Sequence, residues 1–324
     1  MKIIITGGSG FIGTNLLEYY LEKKYKIFNL DLKPPQNIKH NKYWYKINLA
    51  NYKDFLKQIK KIKPTHIIHL AAKADLNGKK LKDYYFNIRS VENIIKFCKK
   101  KSNLKRVIFA SSMLVNQTGH RPKNVLDYNP VNYYGKSKVI GEKIVLDNRN
   151  LSVDFCIIRP TSIWGEWFKE PYKNFFDYII NEKYFNPSSN ASKKTFGYVG
   201  NTVYQIDKLL FANTNKIRNK IFYIGDKPSV SISSWADEIA FFAKVKKPKK
   251  IPLLIFKILA RTGDVITKFG INFPMTSYRL KNMTTDRVYN LDETYKVCGN
   301  PPYSRKRAIK KTLKWIYQKK DFEI

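Results

Sequence analysis

Lys2-Ile-Ile-Ile-Thr6-Gly7-Gly8-Ser9-Gly10-Phe11-Ile12-Gly13 decides how the first half of this chain folds. A β-branched run of strand length ends in a glycine cluster, and an apolar segment at helical spacing, about Phe11 to Lys23, follows at once. Strand, glycine turn and helix in that order make a phosphate-binding turn. Gly7 permits the tight reversal, Gly10 lets the backbone approach a pyrophosphate, and Gly13 allows close packing of helix on strand. The helix N-terminus, where Phe11 and Ile12 sit, then faces the phosphate charge.

Outward from this turn, short β-branched runs keep alternating with amphipathic segments. Further strands are expected at Lys26 to Asp31, Tyr43 to Ile47, His66 to Leu70, Arg106 to Ser111 and Ser152 to Arg159. Helices are expected at about Tyr52 to Ile62, Asp83 to Lys101 and Asn132 to Arg149. Six strands with intervening helices imply an α/β fold, a doubly wound parallel sheet of Rossmann type, with ligands at the carboxyl ends of the strands. Beyond Pro160 the pattern gives way to aromatic and polar sequence, Trp164-Gly-Glu-Trp167 through Asn201. A helix near Tyr204 to Asn213, a strand near Lys220 to Ile224 and a last amphipathic helix at Arg307 to Gln318 follow. The expected division is a core of residues 1–160, to which 198–240 return, and a smaller mixed α/β substrate-binding domain of 161–197 and 241–324.

Asp31 ends the second strand 18 residues beyond Gly13 (31 − 13), where an acid accepts hydrogen bonds from an adenosine ribose diol. The carboxylate repels a 2′-phosphate, which favours NAD; Lys33 keeps NADP as the lesser alternative.

Bulk composition narrows the remaining classes. A chain of 324 residues with 43% hydrophobic residues can bury a full core, so disorder is not the default. No stretch reaches the roughly 20 apolar residues of a membrane span. Ile251 to Ala260 is too short and carries Lys257, so it is expected as a buried helix. No signal-like segment precedes the first strand, and three scattered cysteines, Cys98, Cys156 and Cys298, give neither a disulfide framework nor metal spacing; the cytoplasm is the expected compartment. A net charge of +36 invites a nucleic-acid reading. Most of the excess is Lys spread along the whole chain among Asn, Ile and Tyr, which fits solvated faces better than a dedicated binding surface. His66 and His69 fall in a strand at opposite-facing positions, and His40 and His120 in polar loops, so no metal site is expected.

The chemistry is carried by Tyr134-Gly-Lys-Ser-Lys138, which lies 22 positions (134 − 112) after Ser112. On a helix Tyr134 and Lys138 share one face about 6 Å apart, and an ammonium there is expected to pull the phenol down from about 10. A phenol so tuned trades protons with a sugar hydroxyl, while Ser112 supports charge on the reacting oxygen. Tyr133, the local competitor, has no lysine four residues on.

With these motifs the chain resembles the extended short-chain dehydrogenase/reductases of the NAD-dependent epimerase/dehydratase family, which act mainly on nucleotide sugars. The resemblance covers nearly the whole length. Gly7-x-x-Gly10-x-x-Gly13 has the family's spacing, and His69-Leu-Ala-Ala72 is similar to its fourth-strand segment, implying that Leu70, Ala71 and Ala72 line the cofactor, as does Asn87 from the next helix. Asn48 stands where the family usually has an adenine-contacting Asp, with Leu49 beside it. Arg159-Pro-Thr-Ser-Ile-Trp-Gly165 and Lys194-Thr-Phe-Gly-Tyr-Val199 parallel two further family stretches, with Ser162 in place of an Asn and Lys194 in place of an Arg that clamps the sugar diphosphate. The resemblance implies catalytic roles for Ser112, Tyr134 and Lys138. It also places Met113, Ser162 and Lys194 on the substrate side, where Arg279 is a further candidate; Trp164, Trp167 and Tyr198 are candidate lining of the sugar or base pocket, and core residues as readily. A homodimer through the helices Asp83 to Lys101 and Asn132 to Arg149 is implied as well.

Dehydratases of the family follow the Ser or Thr with Asp-Glu, whereas Met113 and Leu114 cannot take a proton, which disfavours 4,6-dehydration. The favoured reading is an NAD-dependent 4-epimerase of a nucleotide sugar, for surface polysaccharide. A 4-ketosugar reductase or dehydrogenase is the alternative. Rivals of other classes are a basic RNA-binding protein with a retired Rossmann site and a reductase of steroid-like lipids at a membrane surface, the latter suggested by Leu253 to Thr267.

Overall fold

In the computed structural model, which describes residues 1–100, 103–188, 192–271 and 273–320, the alternation read from the sequence becomes a seven-stranded parallel sheet. Its first elements are β1 (Lys2–Thr6), α1 (Phe11–Glu22), β2 (Lys26–Asp31), β3 (Trp44–Lys46), α2 (Tyr52–Ile62), β4 (His66–His69), α3 (Tyr85–Cys98), β5 (Arg106–Ala110), α4 (Tyr133–Asp147) and β6 (Asp154–Pro160). The expected helix end at Lys101 lies outside the described residues. Onward come β7 (Ser162–Trp164), α5 (Tyr172–Ile180), β8 (Phe185–Pro187), β9 (Lys193–Lys194), β10 (Phe196–Tyr198), α6 (Val199–Phe211), α7 (Thr214–Ile217) and β11 (Ile221–Ile224). The last are β12 (Val230–Ser231), α8 (Ile232–Ala243), β13 (Lys249–Ile251), α9 (Leu253–Lys268), α10 (Ser277–Thr284), α11 (Asp292–Cys298) and α12 (Arg305–Lys320). Residues 189–191, 272 and 321–324 of the expected substrate-binding region are outside the described set.

The strand order is β11-β6-β5-β4-β1-β2-β3. Chain direction across the sheet reverses between β1 and β4, where Thr6 stands opposite His69, and this reversal opens a crevice at the carboxyl edge. Alternation along β1 fills both faces. Ile4 packs with Ile67, Val107 and Phe155 against Phe55 and Ile59 of α2, Ile94 and Phe97 of α3 and Val145 of α4. Ile3 and Ile5 pack with Ile68, Ile108 and Ile158 against Leu16, Leu17 and Tyr20 of α1 and Val203, Ile206 and Leu210 of α6. His66 meets Phe211 of α6 and His69 meets Ser90 of α3, on opposite faces.

A third cluster lies beyond β6. Trp164, Phe168, Phe176, Tyr198 and Trp235 pack with Ile309 and Leu313 of α12, and the Trp164 and Trp235 rings stand 5.3 Å apart. Of the two expectations for these aromatics, pocket lining or core, Trp164 and Tyr198 meet the second: both are buried core residues, because large aromatics fill the gap between α5, α8 and α12. Trp167 donates its indole N–H to Glu18 of α1 at 3.0 Å.

The Ile251 to Ala260 segment is corrected. Ile251 ends β13, and Leu253 to Ala260 form the start of α9, whose buried side, Phe256 and Ala260, packs on Leu280 of α10. Only that narrow side is covered, and Leu254, Ile255, Ile258 and Leu259 are exposed. Among the described residues no helix is long and apolar enough to cross a membrane.

Candidate active site

At the crevice, Gly7 has φ +71° and lies so close to β4 that a Cβ would stand 2.6 Å from the Ala71 amide nitrogen. A Cβ on Gly13 would meet the Gly7 carbonyl oxygen at 2.2 Å, so this glycine packs on the turn itself rather than on the strand. The side of Gly10 is open by comparison. Gly10 starts α1 without a side-chain cap, and no acid stands in the first turn. The Phe11 and Ile12 side chains turn away, against the aromatic cluster, leaving only their backbone for a ligand.

Asp31 sits at the end of β2 with one carboxylate oxygen accepting the Ser9 N–H at 3.1 Å and the other the Lys33 N–H at 3.0 Å. Burial raises its pKa, and those N–H donors oppose the rise. Asn48 is exposed and its side-chain oxygen accepts from the Ala50 N–H, whereas Leu49 is buried in the core, so its side chain is not available for an adenine contact. Leu70, Ala71 and Ala72 continue β4; the first two donate their N–H groups to the Thr6 carbonyl and hydroxyl. Asn87 spends its amide on bracing: its oxygen accepts the Lys73 N–H at 2.7 Å, and its nitrogen donates to the Lys73 carbonyl and the Ser137 hydroxyl. His69, which burial pushes down to about 3, stays neutral between Thr6 and Ser90 and ties β1, β4 and α3 together.

Ser112, Tyr134 and Lys138 come together beyond β5. Ser112 caps a short 3-10 turn, Met113–Val115, by accepting the Leu114 N–H at 3.1 Å, and its side chain stands near the Tyr134 phenol, whose pKa it lowers. Asn132 caps α4 through the Gly135 N–H at 2.7 Å. A Cβ on Gly135 would stand 2.2 Å from the Leu114 carbonyl oxygen, so only glycine lets α4 press onto the turn that carries Ser112. The Lys138 ammonium lies 5.9 Å from the centre of the Tyr134 ring and donates to the Ala110 carbonyl at 2.9 Å. The spacing agrees with the shared helical face, but the expected electrostatic effect does not appear. Burial pushes Tyr134 up to about 12, with Ser112 opposing and Tyr84 adding to the rise, and burial pushes Lys138 down to about 8. Desolvation outweighs an ammonium that points at a backbone carbonyl. Tyr133 is partly exposed, with Lys136 over its ring.

A network that sequence reasoning missed fixes α4. Arg159 of β6 donates from Nε and Nη2 to the two carboxylate oxygens of Glu142 at 2.8 and 2.7 Å, and both side chains are fully buried. Tyr128 donates to Glu142, and Arg159 also reaches Tyr223 and the Val125 carbonyl. Glu142 follows Lys138 by one helical turn and favours its charged form. The signal in the sequence was an acid on the apolar side of a helix, one turn beyond a functional lysine.

On the far side of the cleft, the Ser162 hydroxyl contacts the Met113 sulfur at 3.9 Å, and Tyr289 donates to the Met113 carbonyl. The Lys194 ammonium, mostly buried, donates to the Thr285 carbonyl at 3.1 Å. Burial and the neighbouring Arg287 push it down to about 8. Arg287 pairs its backbone with Lys194 and donates to the Asn116 carbonyl, while its Nε is buried without a partner among the described residues. The second cation beside Lys194 is therefore Arg287, not Arg279, whose exposed guanidinium turns back onto the Pro274 carbonyl. Arg287 and Tyr289 alternate along one side of an extended stretch, a pattern the sequence displays once the stretch is known to be extended.

The profile of the NAD dependent epimerase/dehydratase family matches residues 3–225. The chain belongs to this family. It is 24% identical to N-acetyl-alpha-D-glucosaminyl-diphospho-ditrans,octacis-undecaprenol 4-epimerase of Escherichia coli O157:H7, over 99% of this chain and 97% of that protein. To the 3-beta-hydroxysteroid dehydrogenase of Mycolicibacterium neoaurum it is 25% identical, over 89% and 82%. Its fold is shared with the Thermus thermophilus UDP-glucose 4-epimerase solved with NAD, at a TM-score of 0.73, 15% identity and coverage of 98% and 99%.

The residues present fit the NAD of the epimerase/dehydratase family. Gly10 leaves a cradle whose nearest obstruction to a Cβ is the Gly7 carbonyl oxygen at 3.2 Å, and the uncapped first turn of α1 opens onto it. Asp31 closes the other end with a carboxylate suited to a ribose diol. On the other side of the glycine turn from Asp31, just beyond β5, the Ser111 hydroxyl is buried without a partner among the described residues.

Proposed function

We propose that this member of the epimerase/dehydratase family is an NAD-dependent 4-epimerase of a nucleotide sugar. The observation that carries the reading is the convergence of Ser112, Tyr134 and Lys138 at the carboxyl end of β5 and the first turns of α4, on the same edge of the sheet as the glycine turn. When bound, NAD supplies the acceptor and donor of hydride. On oxidation Tyr134, as the phenolate, takes the proton of the sugar hydroxyl, and the phenol so formed returns a proton to the sugar oxygen on reduction. Lys138, on the same helical face, would hold the ribose of the cofactor with its ammonium, and Ser112 steadies the reacting oxygen. Lys194 and Arg287 supply two cations, one of them forked, for a diphosphate. Met113 and Leu114 offer no proton acceptor where an elimination would require one.

Absorbance of reduced nicotinamide near 340 nm tests this reading, on purified protein before and after UDP- or GDP-sugars, with Tyr134→Phe as control. Retained cofactor that is reduced transiently, and not in the variant, supports the epimerase. Turnover only with added NADH or NADPH and a ketosugar replaces it with a reductase. A homodimer through α3 and α4, which pack side by side, is part of the same proposal. A monomer by light scattering would remove it.

A further inference from the structure

The chemistry proposed for the cleft makes no use of the outer face of α9. This sixteen-residue helix contacts the body through one side, Phe256, Ala260 and Gly263, with α10 beneath it. At about 100° per residue, Leu254, Val265, Ile258 and Phe269 fall within an arc of roughly 60°, and Ile255, Ile266 and Leu259 widen it to about 140°. Leu254 is 67% exposed, Ile258 58% and Phe269, at the C-cap, 80%. Along one border of the arc run Lys257, Arg261 and Lys268, all exposed. Exposed Lys246, Lys249 and Lys250 precede the helix, while Lys247 is paired with Asp237. The single acid on α9, Asp264, accepts the Ser277 N–H at 3.0 Å and stays on the α10 side.

We propose that α9 is a docking helix for an anionic membrane surface, lying flat with its apolar arc among the upper acyl chains and its cationic border at the headgroups. An apolar strip bordered by lysine and arginine is the composition of a helix that rests in a bilayer interface rather than crossing it. Charge decides between this occupant and a second copy of the chain. A second copy would bring the same cations and no acid to pair with them, whereas an anionic bilayer supplies the complementary charge. RNA would use the cations but leave the apolar arc wet. Through α10 the helix adjoins the substrate side of the cleft: Asn282 accepts from Thr118 at 2.7 Å, and the Thr285 carbonyl just after α10 holds Lys194. The docking does not depend on which reaction the site performs.

Sedimentation of the full chain with vesicles of phosphatidylcholine, alone or mixed with phosphatidylglycerol, tests the assignment. The protein is expected to pellet with the mixed vesicles only, and to be released by salt. Leu254→Ser with Ile258→Ser should weaken binding at least about tenfold, and Lys257→Gln with Arg261→Gln about fivefold per charge, with thermal melting unchanged. Phe241→Ser, an equally exposed aromatic on α8, should bind as the wild type does. Protein that stays in solution with both vesicle types overturns the proposal, as does pelleting that the Leu254/Ile258 variant retains. A dimer in solution that this variant dissociates, without vesicle binding, assigns the face to self-association instead. The absorbance assay is independent: a failed epimerase reading leaves a positive sedimentation result intact, and the reverse.

Discussion

Replacing Lys138 with methionine separates what this residue does for the fold from what it is proposed to do for the chemistry. The ammonium is buried, and its pKa falls from 10.5 to about 8. At about 1.36 kcal/mol per pH unit, a charged Lys138 costs the folded state about 3 kcal/mol at neutral pH. Methionine has a similar length and no charge, but it forfeits the hydrogen bond to the Ala110 carbonyl, about 1 to 1.5 kcal/mol. The net expectation is a variant more stable by about 1 to 2 kcal/mol at pH 7, and less active by roughly a hundredfold or more. The pH dependence has a definite sign. The folded pKa lies below the unfolded one, so this cost is fully present below about pH 8 and fades as pH rises toward 10.5, where the unfolded chain also loses the proton. Lys194 is shifted the same way but is present in both proteins, so it cancels in the difference. Urea unfolding of both proteins, stripped of cofactor, at pH 7 and near pH 10 measures this. A variant less stable than the wild type at pH 7, or an advantage that does not shrink toward pH 10, would refute the assignment of a buried charged lysine.

Three further outcomes follow from named contacts. Glu142→Ala leaves the Arg159 guanidinium buried without its carboxylate and should cost about 3 to 5 kcal/mol by urea unfolding, with most of the loss recovered in Glu142→Leu combined with Arg159→Met; an effect under about 1 kcal/mol would contradict the packing described. Arg287→Met should raise KM for a sugar diphosphate about tenfold or more with a smaller change in kcat, whereas Arg279→Met leaves both unchanged, and equal effects would show that the substrate side is misassigned. Asp31→Asn removes the charge facing the ribose, so the ratio of NAD to NADP affinity, read by fluorescence titration, should fall about tenfold or more; an unchanged ratio would place cofactor selection elsewhere.

The sequence by itself determined the sheet and the cofactor edge, because both are written in local patterns. Period-two alternation put Ile3 and Ile5 on one face and Ile4 on the other, β1, β2 and α2 begin and end where the residues say they do, and Gly7 and Gly13 stand where no Cβ fits. The Tyr134 and Lys138 spacing was legible for the same reason: a helix fixes i and i+4 without knowledge of anything else. Sign and partner were not legible, since they depend on what surrounds a group after packing. Lys138 was expected to lower the Tyr134 pKa, yet in the fold burial governs both groups. Arg287 and Arg279 are similar arginines in the sequence, and only the extended pairing with β9 sets one beside Lys194 while the other turns to Pro274. Trp164 and Leu254 exchanged roles in the same way, the tryptophan going into a core and the leucine remaining outside. Hydrophobicity states what a residue prefers, and tertiary packing decides which of the competing apolar surfaces finds a partner.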